Sequence, residues 1–171
     1  IMLIAKVLDW KDILSEKGAW DAMFWMGGLV ALATALAKSG FIAWIAKLIG
    51  TAVAAADMGW VASFVLISLI YIYSHYCFAS VTARISAMYA AFVAVAAACG
   101  VPAMLVAITF GCFANLPISL THYGNGCGPV YFGAGYVSQG EWWRNGFIIT
   151  TINVVIWLTI GMTWWKFIGL Y

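Results

Sequence analysis

Between residues 58 and 140 the chain carries a single charged side chain, Arg84. Two more stretches, 22–37 and 145–165, carry none. Charge-free apolar segments of this length are what a bilayer core demands of a spanning helix. A membrane β-barrel would show short alternating segments instead. Composition agrees: 65% of residues are hydrophobic and 8% charged, against about 25% charged in soluble proteins. The expected fold class is an all-α polytopic membrane protein whose first partner is the lipid bilayer. A net charge of +2 says little about other partners, and no basic stripe points to nucleic acid.

Residues 9–17 are polar and mixed in charge, and read as a loop after residues 1–8, the tail of an earlier helix. The start at Ile1 predicts a segment of a longer chain. Residues 20–38 form a first span, since about 19 residues at roughly 1.5 Å each cover the roughly 30 Å core. Segment 41–55 is short, with apolar residues at helical spacing, and reads as an interfacial connector. A short span is the alternative. Residues 59–99 are nearly unbroken in hydrophobicity apart from a polar knot at 73–80. They read as a re-entrant hairpin, with two complete spans as the alternative. Residues 102–116 then give a half-length helix.

The stretch LPISLTHYGNGCGPVYFGAGY (116–136) follows, where a membrane helix would ordinarily continue. Its glycines and prolines break a helix, and polar irregular backbone at membrane depth is tolerated only when buried in protein or lining a cavity. Pro129 suits the start of a second half-helix running to about 137. Residues 138–145 are a polar turn and 146–165 the last span. The lysines and arginines divide almost evenly between the two sides, so orientation stays open. The division of the chain is therefore 1–19, 20–57, 58–100, 101–137 and 138–171.

Interrupted segments point to a transporter's binding site. At both the tip near Ser80 and the loop near Thr121 a helix restarts, and its N–H groups and positive dipole end suit an anion. Ser80 is a natural helix cap, Thr82 lies in the first turn, and Thr121 and Asn125 add neutral donors. From 58 to 140 there is no carboxylate, yet Arg84, His75 and His122 are present. A cation pathway there would normally show acids. Arg84 either supplies positive field or snorkels to an interface, and His75 reads as a packing residue. Cys77 or Cys127 with His75 or His122 would be the basis of an intramembrane enzyme, a weak pattern of scattered residues. All four cysteines read as reduced packing residues.

The segments SHYCFASVTARISAMY (74–89), LTHYGNG (120–126) and GPVYFGAGYV (128–137) resemble the divalent anion:sodium symporter family. Within it they are most similar to the branch of citrate:succinate and 2-oxoglutarate:malate exchangers. The resemblance covers essentially the whole chain and implies the second of two inverted repeats, the C-terminal half of an elevator-type transporter. It further implies a homodimer, in a bacterial inner membrane or the plastid inner envelope, and no enzyme activity or cofactor. Its Ser-Asn-Thr tip motif maps onto Ser80, Val81 and Thr82, so the central Asn is replaced. Its loop threonine maps onto Thr121, followed by His122 where symporters carry proline. The implied substrate-binding set is Ser80, Val81, Thr82, Thr121, His122, Gly124 and Asn125, with Arg84 acting electrostatically. Backbone near Ala79 and Leu120 remains available to a coupling sodium ion. The expected function is exchange of di- or tricarboxylates, with sodium-coupled symport as the alternative.

Overall fold

The computed structural model of the chain describes residues 3, 5–56 and 58–171, all helical or in turns and loops. The expected helix tail at 1–8 falls partly on residues outside these, and the described ones among it form turns. So does the expected boundary at Asp57. A first short helix, α1 (Trp10–Ser15), occupies what the sequence suggests is a loop. Asp9 and Asp12 exchange capping bonds across its first turn, which lets an exposed mixed-charge segment close one turn and more. Helix α2 (Lys17–Lys38) starts three residues before the expected span, anchored by Trp20 Nε1 donating to Ile13 O at 2.8 Å.

Helix α3 (Phe41–Ala55) has the expected bounds. Its 15 residues rise about 22 Å, short of the roughly 30 Å hydrocarbon core. It packs on α5 (Val81–Ala98) at Gly50, where an added Cβ would meet Val95 Cγ1 at 2.9 Å. Between apolar helices in lipid the association comes from close packing, so a small residue at the crossing matters.

Helix α4 (Trp60–Tyr73) runs into a 3-10 turn at Ser74–Cys77, and α5 leaves from Ser80. The Tyr71 ring of α4 meets Phe92 of α5 at 5.7 Å, so the two arms pack on one another behind the tip. Helix α5 closes with Gly100 at φ +80°. Gly100 N–H donates to Ala97 O and Val101 N–H to Ala96 O, a Schellman cap that a Cβ-bearing residue at Gly100 would strain. The chain then turns into α6 (Ala103–Cys112), with Pro102 as its cap residue. Tyr89 of α5 donates to Ala107 O of α6 at 2.9 Å. Phe64, Ile67, Tyr71, Phe92, Leu105, Val106, Phe110 and Phe113 form the fully buried heart of this unit.

Helix α6 stops at Cys112, and a 3-10 turn at Leu116–Ser119 follows. The second half-helix, α7 (Gly128–Gly133), begins with Pro129 in its first turn as expected. It ends four residues earlier than 137 because Gly135 adopts φ +76° and turns the chain away. The last helix begins as α8 (Gln139–Ile156), with a capping box between Ser138 and Glu141. It widens through a π turn at Trp157–Gly161 and finishes as α9 (Met162–Phe167). Its span thus opens in the segment read as a polar turn. Among the described residues three helical stretches are long and apolar enough to cross a membrane: Trp60–Cys77, Val81–Ala98 and Gln139–Phe167.

Gly146 on α8 lies directly on the backbone of the 3-10 turn, where a Cβ would overlap Ser119 O. Gly146→Ala is therefore expected to lower the thermal midpoint of the detergent-purified protein, at a cost of about 1–3 kcal/mol. Gly140→Ala, with open space around it, is expected to be neutral. Equal midpoints for the two variants would contradict this packing.

Candidate functional site

The hairpin tip and the break after α6 come together, and Arg84 is what joins them. It stands in the first turn of α5 and is fully buried. Its Nη1 donates to Tyr71 O at 2.9 Å, and its Nη2 to Ala114 O at 2.6 Å and Phe113 O at 3.2 Å. The guanidinium also lies 4.6 Å from the centre of the Tyr71 ring, which stacks in turn on Phe110. The side chain does not snorkel.

The carbonyls at the end of α6 explain this placement. A helix leaves its last C=O groups unpaired, and they carry the negative end of its dipole. In a segment without carboxylates, a guanidinium is the side chain able to reach several of them at once. Among the described residues the positive charge is therefore met by backbone dipoles and not by an acid.

The tip residues are divided between helix capping and exposure. Ser80 Oγ accepts from Ala83 N–H at 3.4 Å, as its sequence position predicts. Val81 is half-buried and Thr82 is exposed. Ala79 and Leu120, the positions read as neighbours of a sodium site, are both buried. In the loop, Asn125 Oδ1 accepts from Cys127 and Gly128 N–H at 2.8 Å each, while its Nδ2 donates to Ile118 O. Asn125 thus spends its amide on holding the loop and starting α7. Gly128 lies against the His122 carbonyl, with no room there for a side chain.

His122 stacks on Phe132 with ring centres 4.3 Å apart, and its Nδ1 accepts from Trp143 Nε1 at 3.3 Å. A nitrogen that accepts is unprotonated, so in this arrangement the ring is neutral with its proton on Nε2. His122 then has its Nε2–H available as a donor.

Thr121 is fully buried and its hydroxyl has no partner; the same is true of His75 at both ring nitrogens. Both lie on Gly124. Sequence reasoning treats His75 as packing, because a histidine in an apolar segment reveals nothing of its neighbours. Tyr123, whose hydroxyl donates to Tyr76 O at 2.9 Å, and Trp143 are further contributors it missed. Aromatic residues so common in this chain carry no signal of position. Neither Cys77 nor Cys127 hydrogen-bonds to either histidine among the described residues, and both are exposed.

The whole chain, residues 1–171, matches the family described as sodium:sulfate symporter transmembrane region. The chain belongs to this family. It is 44% identical over its full length to dicarboxylate transporter 1, chloroplastic, of Spinacia oleracea, covering 30% of that protein. It is 44% identical to the putative malate transporter YflS of Bacillus subtilis, covering 35% of it. The Arabidopsis thaliana dicarboxylate transporter 1, chloroplastic, is 42% identical, with 31% covered. The chain thus spans about a third of the length of the curated relatives it matches. Family membership and the three membrane-length helices together place it in a multi-pass membrane protein of a transporter family.

Removing Arg84 would leave the Tyr71, Phe113 and Ala114 carbonyls without their donor. Each unsatisfied buried group costs about 1–3 kcal/mol, so Arg84→Met is expected to lose most of its folded, monodisperse yield. Arg84→Lys, which keeps a charge and three donors, should fall between. Wild-type yield and midpoint in Arg84→Met would show that these bonds do not hold the break together.

Proposed function

We propose that the chain forms one half of the binding site of a secondary transporter that exchanges di- or tricarboxylates of the citrate, succinate, malate or 2-oxoglutarate class. The observation that carries this reading is the buried Arg84, a fixed cation at the end of α6 with no acid paired to it among the described residues. In a sodium-coupled carrier, a cation at such carbonyls would arrive from solution with the substrate. Here a side chain of the protein fills that role, and the anion balances a charge that never leaves. An empty carrier would cross the membrane with that net charge offset only by backbone dipoles, which is costly in a low dielectric. Movement only when loaded is obligate exchange.

Names of the relatives support the substrate class: two are called dicarboxylate transporters and one a putative malate transporter. On this reading Ser80, Val81, Thr82, Thr121, His122, Gly124 and Asn125 surround the carboxylates. Asn125 contributes through the loop geometry it holds, and His122 through Nε2–H. The hairpin and broken helix would move together as the transport unit of an elevator. α2 and the α3 arm would link it to a dimeric scaffold, in a bacterial inner membrane or the plastid inner envelope. Sodium-coupled symport is the second reading, favoured by the family's own description.

Uptake of radiolabelled succinate into liposomes bearing the full-length protein separates the two. Exchange predicts uptake that requires malate or succinate inside and is indifferent to a sodium gradient. Strict sodium dependence with empty liposomes would establish symport instead. No uptake of any dicarboxylate under either condition would remove both.

A further inference from the structure

We propose that His75 and Thr121 form one two-donor subsite that grips a single carboxylate oxygen of the transported anion, with Gly124 as its bare floor. The proposal rests on the carboxylate-transport reading and adds to it a residue, His75, that neither the family motifs nor the sequence pattern assigns.

Two independent observations converge. First, Thr121 Oγ1 and both nitrogens of His75 are fully buried and make no hydrogen bond of good geometry among the described residues. Buried polar groups are paired in the great majority of cases, and an unpaired one asks for an explanation such as a missing ligand. Second, the two side chains aim at the same place. A methyl group added to Gly124 would lie 2.5 Å from His75 Nε2 and 2.9 Å from Thr121 Oγ1. The imidazole from the hairpin tip and the hydroxyl from the loop therefore face one another across a residue that has no side chain of its own.

The chemistry selects the ligand. A threonine hydroxyl and an imidazole N–H both donate, and an oxygen accepting from both satisfies them at ordinary distances of about 2.7–3.0 Å. No acid of the segment 58–140 can supply that oxygen, since it contains none. A cation is disfavoured by the buried Arg84 and by the lack of any carboxylate ligand. An anionic oxygen from outside the protein fits, and bonds to a charged acceptor are the stronger kind.

In this conformation the subsite is shut. The tip is tied to the loop by Tyr123 donating to Tyr76 O at 2.9 Å. Parting the tip from the loop at that bond would expose both donors at once. Hairpin and loop thus each supply half of a grip that closes on the substrate.

The test is equilibrium binding of radiolabelled succinate to detergent-purified full-length protein, with thermal midpoints measured alongside. Thr121→Val and His75→Phe are each expected to weaken affinity by about tenfold or more, the loss of a bond to a charged acceptor. Because both grip the same oxygen, the double variant should be little weaker than the worse single. His75→Gln, whose amide N–H takes the place of the imidazole donor, should recover much of the loss. Gly124→Ala should abolish binding. Wild-type affinity in His75→Phe, or losses that add fully in the double variant, would overturn the proposal. Should His75→Phe not purify as a folded species, His75→Asn, polar but shorter, makes the same comparison, and unchanged affinity there overturns it equally. A wild-type protein that binds no dicarboxylate would instead remove the functional reading beneath.

Discussion

A helix that stops within a buried core leaves carbonyl groups that water cannot reach, and the packing around the break in this chain follows from that. Helix α6 ends at Cys112 with the Phe113 and Ala114 carbonyls turned inward, and Arg84 of the neighbouring hairpin arm answers them. The same guanidinium holds the Tyr71 carbonyl on the other arm. One side chain therefore ties together both arms of the hairpin and the broken helix. The tight packing of Gly50 on Val95 and of Gly146 on the 3-10 turn then clamps this unit between its neighbours.

That arrangement joins stability to function. On the proposed reading, the charge that satisfies the backbone also favours an anionic ligand, since no acid in the segment 58–140 offsets it. The candidate site residues divide into those bonded within the fold and those left without a bond. Ser80 caps α5, Asn125 starts α7 and His122 is held by Trp143. The Thr121 hydroxyl and the His75 ring nitrogens make no hydrogen bond among the described residues. In a low dielectric an unpaired polar group is expensive, which sets Thr121 and His75 apart from the bonded residues around them.

Much of this was legible in the chain. Hydropathy and the distribution of charge announced a helical membrane protein, and the bounds of α3, the cap at Ser80 and the proline start of α7 followed from local rules. The start of α8 at Gln139 did not, because its Ser138–Glu141 capping box lies in polar residues that read equally well as a turn. The helix α1 was missed for a similar reason: its stability comes from two reciprocal aspartate bonds and not from an apolar face.

The site was legible only in outline. Sequence alone determined that a polar, glycine-rich break had to exist between apolar runs and that Arg84 is the single charged side chain in the segment 58–140 that holds it. Those conclusions follow from composition, because a membrane permits few exceptions. Tertiary structure alone decided which polar atoms were already used and which were left. Arg84 meets carbonyls 29 and 30 residues further along the chain. His75 meets Thr121 across Gly124 only because tip and loop fold onto each other. A hydrogen bond between distant segments depends on three-dimensional distance, and no periodicity or motif in the chain encodes that distance directly.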